Sequence, residues 1–392
     1  MRTFEFVSSI HNSPMDTLDD FLIARITSYL PSPLDAPLRV TSSRFRAILD
    51  PPQKRSRAKL LEYGAEIDCA DICILARDEC DIAAYGNMLL IAARCGHKEI
   101  CDLARKWLLE NRAQISQADM VSATIQGGHL ALCEYIFSWY DEPPDYNWML
   151  DIAAQYGHRA ICEYARANML KRNMVPRYDL MLSMAARGDH RDICELAISW
   201  GARINNPMLF GAAYGGHRDM CALAREWILN AGILPDYYHA LACAALGGHY
   251  EICMLIREWI GGPCYCHEML YNAVCGGHLA ICELAHEWAH ISRIRARYSS
   301  ALDIAAYHGH RAMMHTLRDW ANSDGELINY HLALESACAG GHVDLCKLVL
   351  EWMRDANEIP NYNALFADAT TANDTTACSI LRNLARADGV QV

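Results

Sequence analysis

The residues whose types could do chemistry recur along the chain at fixed offsets. Nine histidines, His97, His129, His158, His190, His217, His249, His278, His310 and His342, are separated by 32, 29, 32, 27, 32, 29, 32 and 32 residues. Four residues after each comes Cys101, Cys133, Cys162, Cys194, Cys221, Cys253, Cys282 or Cys346, with Met314 in the eighth place. A His and a Cys four apart share one helical face, as two zinc ligands would. Each recurrence supplies only that pair, however, and helices pack about 8–10 Å apart, so neighbours cannot pool four ligands around one ion. A turn histidine bonded to backbone, above a small buried thiol, is the expectation. Cys264-Tyr265-Cys266-His267 is denser but occurs once, and reads as loop. The sequence holds no phosphate-cradling loop, no Gly-x-Ser-x-Gly and no His-Glu-x-x-His. Neither an enzyme nor a metal or cofactor site is expected.

The elements that must position these residues follow from the other columns. Eight residues before each His is a Leu or Val, and five before it an Ala in every unit but that of Thr124. Gly precedes the His in all but the unit of Asp189. Apolar positions at −9, −8, −5 and −4 lie on one side of a short helix, and the Gly ends it in a left-handed conformation. Apolar positions at +3, +4, +6 or +7, and +10 define a second helix. One such pair cannot bury both of its faces, so the pairs must stack into a solenoid. Ten residues after the His stands Trp107, Trp139, Trp200, Trp227, Trp259, Trp288, Trp320 or Trp352, expected as a buried anchor with its indole N–H on a loop carbonyl. Tyr146, Tyr178, Tyr237, Tyr298 and Tyr330 stand twelve before a His, either as plugs of shortened loops or as contact residues.

The units resemble the ankyrin family. AAQYGHRAICEYA (153–165) and AAYGGHRDMCALA (212–224) fit the family's Ala-Ala-x-x-Gly-His pattern position for position. The resemblance implies an all-α, ankyrin-type solenoid of about nine clear helix-pair repeats over roughly residues 86–355, with a degenerate unit at each end. The family's Thr-Pro-Leu-His opening is absent apart from its Leu, which puts the β-hairpin fingers in doubt. It also implies a concave groove that grips a protein partner at the loop tips and the ends of the first helices. On that basis the groove candidates are Arg94, Tyr146, Tyr156, Arg187, Tyr214, Tyr238, Tyr307 and His308. The Cys and Trp columns resemble ankyrin arrays of large DNA viruses.

Residues 1–50 stand outside the repeat. Leu18, Leu22, Ile26 and Leu30 follow one helical side, Pro31 closes the helix, and Arg44-Phe45 comes later. These residues resemble an F-box, although Asp19 replaces its opening Pro and Pro37 interrupts its second helix. By that resemblance Leu18, Leu22, Ile26, Leu30, Pro31 and Phe45 would dock on the Skp-type adaptor of a cullin–RING ubiquitin ligase. Residues 51–57 read as a linker and 58–392 as the solenoid.

Composition bounds the rest. The 392 residues are 52% hydrophobic with formal net charge −12, which leaves ample material for a core and argues against nucleic acid or anionic lipid as a partner. The absence of a long apolar run or a signal peptide, together with 18 cysteines in a chain of this length, points to reduced thiols in cytoplasm or nucleus. The expected molecule is a monomeric protein-binding adaptor that brings a target to a ligase, or a scaffold that sequesters a host protein without one.

Overall fold

The computed structural model describes residues 54–390 except 78–79, 114, 263–265 and 372–373. The F-box-like positions Leu18, Leu22, Ile26, Leu30, Pro31 and Phe45 lie outside the described residues. Among those described, the secondary structure is helical and contains no strand, so the β-fingers of the ankyrin pattern are not formed.

The chain divides into two compact units, one ending at Pro176 and the other beginning at Arg177. The first contains α1 (Lys54–Glu66), α2 (Ala70–Ala76), α3 (Ile82–Cys95), α4 (Lys98–Glu110), α5 (Gln117–Gly127), α6 (Leu130–Phe137), α7 (Tyr146–Gln155) and α8 (Arg159–Lys171). The second begins with α9 (Tyr178–Arg187), α10 (Arg191–Ser199), α11 (Asn206–Gly215), α12 (Arg218–Asn230), α13 (Tyr237–Gly247) and α14 (Tyr250–Ile260). It continues through α15 (Cys266–Gly276), α16 (Leu279–Ser292), α17 (Tyr298–His308), α18 (Arg311–Ser323), α19 (Tyr330–Ala339) and α20 (Val343–Asp355) to α21 (Tyr362–Thr371) and α22 (Thr375–Ala387). Every odd helix pairs with the even helix after it. The nine histidine-marked pairs are all present, and α1/α2 and α21/α22 are the degenerate ends. Lys54–Arg57, expected as linker, instead form the first turn of α1.

Within each unit the odd helices pack side by side, α1 to α7 and α9 to α19, and the even helices cover them. Small side chains permit this approach. In α11, Met208, Leu209, Ala212 and Ala213 are fully buried, and in α13 Ala240, Ala244 and Ala245 are as well. The histidine-led even helices seal the layer with the side chains at +3 and +4, as Ile252 and Cys253 do in α14 and Met313 and Met314 in α18. Burying each large aliphatic contributes about 1.5–3 kcal/mol. Local signals set the helix limits. Asp145 accepts from the amides of Asn147 and Trp148, and Asp236 from His239, caps of about 1 kcal/mol each. Gly128 ends α5 at φ 79°. Asp189, which replaces glycine, takes φ 63°, a conformation Asp tolerates better than most residues.

Candidate functional site

The repeat histidines fasten successive pairs together. Each sits at the start of an even helix, and the imidazole Nε2–H of His97, His129, His158, His217, His249, His278 and His342 donates to a carbonyl near the end of the previous pair's odd helix, whereas His310 Nε2 has no hydrogen-bond partner among the described residues. His129 bonds Arg94 O at 3.0 Å, His158 Gln126 O at 3.0 Å, His217 Arg187 O at 3.0 Å, His249 Tyr214 O at 2.9 Å and His342 Tyr307 O at 3.1 Å. These contacts satisfy helix-end carbonyls that would otherwise lack a partner. Burial holds His249 and His310 below the ordinary histidine pKa.

The Gly-Gly doublet serves the same junction twice. A Cβ on Gly276 would lie 2.6 Å from Leu246 O, the carbonyl that His278 grips, and one on Gly128 would lie 2.6 Å from the ring of His158. The doublet lets backbone and imidazole close on each other.

The residues at this end of the odd helices carry side chains that differ from repeat to repeat. In the first unit this edge holds Arg94 and Tyr156, both exposed, with Gln126 between them. In the second it holds Arg187, Tyr214 and Leu246, half-buried, then Tyr307 and His308, exposed. The Arg187 guanidinium lies 4.0 Å over the Tyr214 ring, and the rings of Tyr307 and His308 meet edge-on at 5.2 Å. Tyr238, though 39% exposed, stands near the opposite end of α13 and does not join this edge.

Tyr146 is a correction. It is 5% exposed, with the Arg172 guanidinium over its ring, and cannot meet a partner. The other tyrosines twelve residues before a His behave alike: Tyr298 and Tyr330 are buried, and Tyr178 and Tyr237 are half-buried. They are plugs. Each ring packs against the Trp of its own pair, with Tyr237–Trp259 centroids 5.9 Å apart and Tyr298–Trp320 5.7 Å.

The preceding pair completes that clasp with a residue eight after its His. Arg225 lies over Trp259 and donates from Nε to Tyr237 Oη at 2.8 Å; Arg318 repeats this on Trp352 and Tyr330. His286 stacks on Trp320 at 4.2 Å and reaches Tyr298 Oη at 2.6 Å. The recurring basic-x-Trp pattern (Arg105, Arg225, Arg257, His286, Arg318) signals this column, which the apolar periodicity alone overlooks.

The tryptophans therefore depart from uniform burial. Trp107, Trp288 and Trp352 are buried, but Trp139, Trp200, Trp227, Trp259 and Trp320 are half-buried. At Trp227 the preceding pair offers Ile198 where the pairs before Trp259, Trp320 and Trp352 offer Arg or His, and a cleft of about 440 Å³ lies beside it. The indole N–H of Trp139 has no acceptor, contrary to the expected loop carbonyl.

The thiols lie in the core. Desolvation pushes Cys101, Cys194, Cys221 and Cys282 up to about 12, which keeps them protonated near neutrality. Cys266 and His267 open α15, so that half of the dense Cys/His segment is helix, with Cys266 fully buried. Among the described residues, no helix is long and apolar enough to cross a membrane.

No family model and no curated protein matches the chain. Similar solved structures include the pentatricopeptide repeat protein PPR10 in complex with an 18-nt psaJ RNA element, at 13% identity and TM-score 0.32, covering 98% of this chain and 68% of that one. A second complex, of a triple-cysteine variant of PPR10 with the same RNA element, gives the same values. PPR10 from maize gives 13% identity and TM-score 0.26, with 99% and 71% coverage. Against two repeat-protein structures that hold RNA, the expectation that nucleic acid is excluded is corrected. Its physical basis was too coarse, since a charge of −12 is a whole-chain sum and does not describe any one face.

Proposed function

We propose that the chain is a recognition adaptor whose first-helix ends contact a protein target. One observation carries this reading: within each unit the next histidine pins the backbone of Arg94, Gln126, Arg187, Tyr214, Leu246 and Tyr307, while the side chains at this end of the first helices vary and several stand exposed. A preorganised backbone lowers the ordering cost of binding, and Tyr and Arg are the residues enriched where interfaces form. The chemistry is contact, without turnover. In its finer form the reading makes the chain an ankyrin-type member of the F-box/ankyrin proteins of large DNA viruses, acting in the cytoplasm or nucleus of a host cell. The spacing of Leu18, Leu22, Ile26, Leu30, Pro31 and Phe45 supports docking on a Skp-type adaptor by a helix-in-groove mode.

Affinity capture from cells with crosslinking tests the reading. A Tyr156→Ala, Tyr307→Ala, His308→Ala variant alters only exposed side chains and should keep the wild-type Tm while losing the captured protein. Unchanged capture, or RNA as the species retained, would overturn the assignment. A pull-down with purified Skp-type adaptor tests the finer form. Wild type should bind, whereas Ile26→Asp plus Leu30→Asp should not; failure of the wild type leaves a scaffold without ligase recruitment.

A further inference from the structure

The ninth histidine-marked pair, α19 and α20, departs from the others at one core position. Four residues before the histidine the other eight pairs carry Ala, Ile or Val; here Cys338 stands, on α19. Four residues after the histidine comes the usual thiol, Cys346, on α20. Two thiols therefore meet across one helix pair. Their sulfurs lie 3.3 Å apart, and either can donate its S–H to the other. Cys338 is 1% exposed and Cys346 fully buried. Column thiols elsewhere meet other groups: Cys194 Sγ lies 3.9 Å from Leu182 O, and Cys282 Sγ lies 3.9 Å from Met313 Sδ. Cys378, on α22, is half-buried and sits 3.7 Å from Thr370 Oγ1.

We propose that Cys338 and Cys346 form a reversible disulfide when the chain meets a small-molecule disulfide such as oxidised glutathione. The bond requires its sulfurs about 2.05 Å apart, so the pair must close by about 1.3 Å from its present contact. Two exchanges accomplish this. One cysteine loses its proton to solvent, and its thiolate attacks the oxidised reagent. A mixed disulfide forms, and one glutathione thiolate leaves and takes up a proton. The second cysteine, deprotonated in turn, attacks the protein sulfur of that mixed disulfide. The Cys338–Cys346 bond forms, and the second glutathione leaves and is protonated. Two protein thiols are oxidised, and one glutathione disulfide is reduced to two thiols. Contact with Cys346 and burial hold the Cys338 thiol far above the ordinary cysteine range, so the exchange runs through local opening at this end of the array. The bond ties α19 to α20 one turn after His342, whose ring holds Tyr307 O. It stands independently of what the recognition edge binds.

Incubating the full chain with excess oxidised glutathione at pH 8, then alkylating it, cleaving N-terminal to Asp344 and weighing the peptides, tests the pair. The peptides holding Cys338 and Cys346 should stay joined and separate on reduction. The bond should form about tenfold or more faster than Cys221 is alkylated in the same native chain, because the end of the array opens more readily than its middle. Oxidation should raise the Tm by a few degrees. Cys338→Ala places there the residue that most other pairs carry; it should fold with nearly the wild-type Tm and show neither the bond nor the rise. Thiols still free after the incubation, glutathione retained on either cysteine without closure, or a bond from Cys346 to Cys378 would each overturn the pairing. So would closure no faster than alkylation of Cys221, or a lower Tm after oxidation.

Discussion

Substituting Gly248 by alanine probes the junction between pairs most sharply. Gly248 ends α13 at φ 83°, where a Cβ costs about 1–2 kcal/mol from backbone conformation alone. That Cβ would also fall 2.5 Å from Cε1 and 2.8 Å from Nδ1 of His278. The ring cannot swing away freely, because Nε2 is held on Leu246 O at 3.2 Å. Overpacking of this kind adds about 1–3 kcal/mol, so Gly248→Ala should destabilise by about 2–5 kcal/mol. His278→Ala loses one hydrogen bond and half-buried ring packing, together about 2 kcal/mol. In the double variant the clash vanishes and only the backbone and hydrogen-bond losses remain, so the two costs should fall short of additivity by about 1–3 kcal/mol. Gly325, at φ 67° with nothing within 4 Å of a built Cβ, supplies the control: Gly325→Ala should cost only the conformational part. Guanidinium denaturation followed by circular dichroism and tryptophan fluorescence measures all four. Additivity within about 0.5 kcal/mol would refute the contact between the glycine and the next imidazole.

Removal of the Arg225 guanidinium, by Arg225→Ala, should destabilise by about 1–2 kcal/mol through loss of its stacking on Trp259 and its bond to Tyr237; Arg225→Lys should recover less than half on the same denaturation curves. Asp303 has a raised folded pKa, from 3.8 to about 7, so its burial opposes folding above about pH 7 and that penalty fades as pH falls toward 3.8. Asp303→Asn should accordingly raise stability at pH 7.5 by about 2–4 kcal/mol. His249, His286 and His310 have lowered folded values, and their stabilisation is present above pH 6.5 and lost as pH falls through those values. The Asp303→Asn Tm should therefore drop more steeply than wild type between pH 7.5 and 4.5. Finally, alkylation at pH 8 should leave Cys101, Cys194, Cys221 and Cys282 unmodified in the native chain and label them at the rate of unfolding; rapid native labelling would place those thiols at the surface.

Periodicity carried the scaffold because burial demands it. Ala212, Ala213, Cys221 and Met220 occupy positions where a larger or charged side chain would part neighbouring helices, so the constraint repeats with the fold and is visible in one chain. The two end pairs bury Leu61 and Leu365 for the same reason. The fate of the tyrosines was not legible in the sequence. Tyr146 and Tyr307 share a residue type suited to either a plug or a contact, and what distinguishes them is packing: Tyr146 is buried under Arg172 from the end of its own pair's second helix, while Tyr307 stands exposed. The cleft beside Trp227 likewise involves Ile198, a residue of another pair. Asp303 reads in sequence as an ordinary polar position of an amphipathic helix; its burial arises from how α19 lies on α17. Whole-chain charge was the weakest guide, because it says nothing about any one surface.

Hydroxyl-radical footprinting of the full chain with its captured target tests the recognition edge most directly. Tyr156, Tyr307 and His308 should lose most of their oxidation in the complex, while Leu170 and Leu229, exposed near the ends of even helices, react as before. Protection of the even-helix residues, with those three side chains still oxidised at the free-chain rate, would contradict the account.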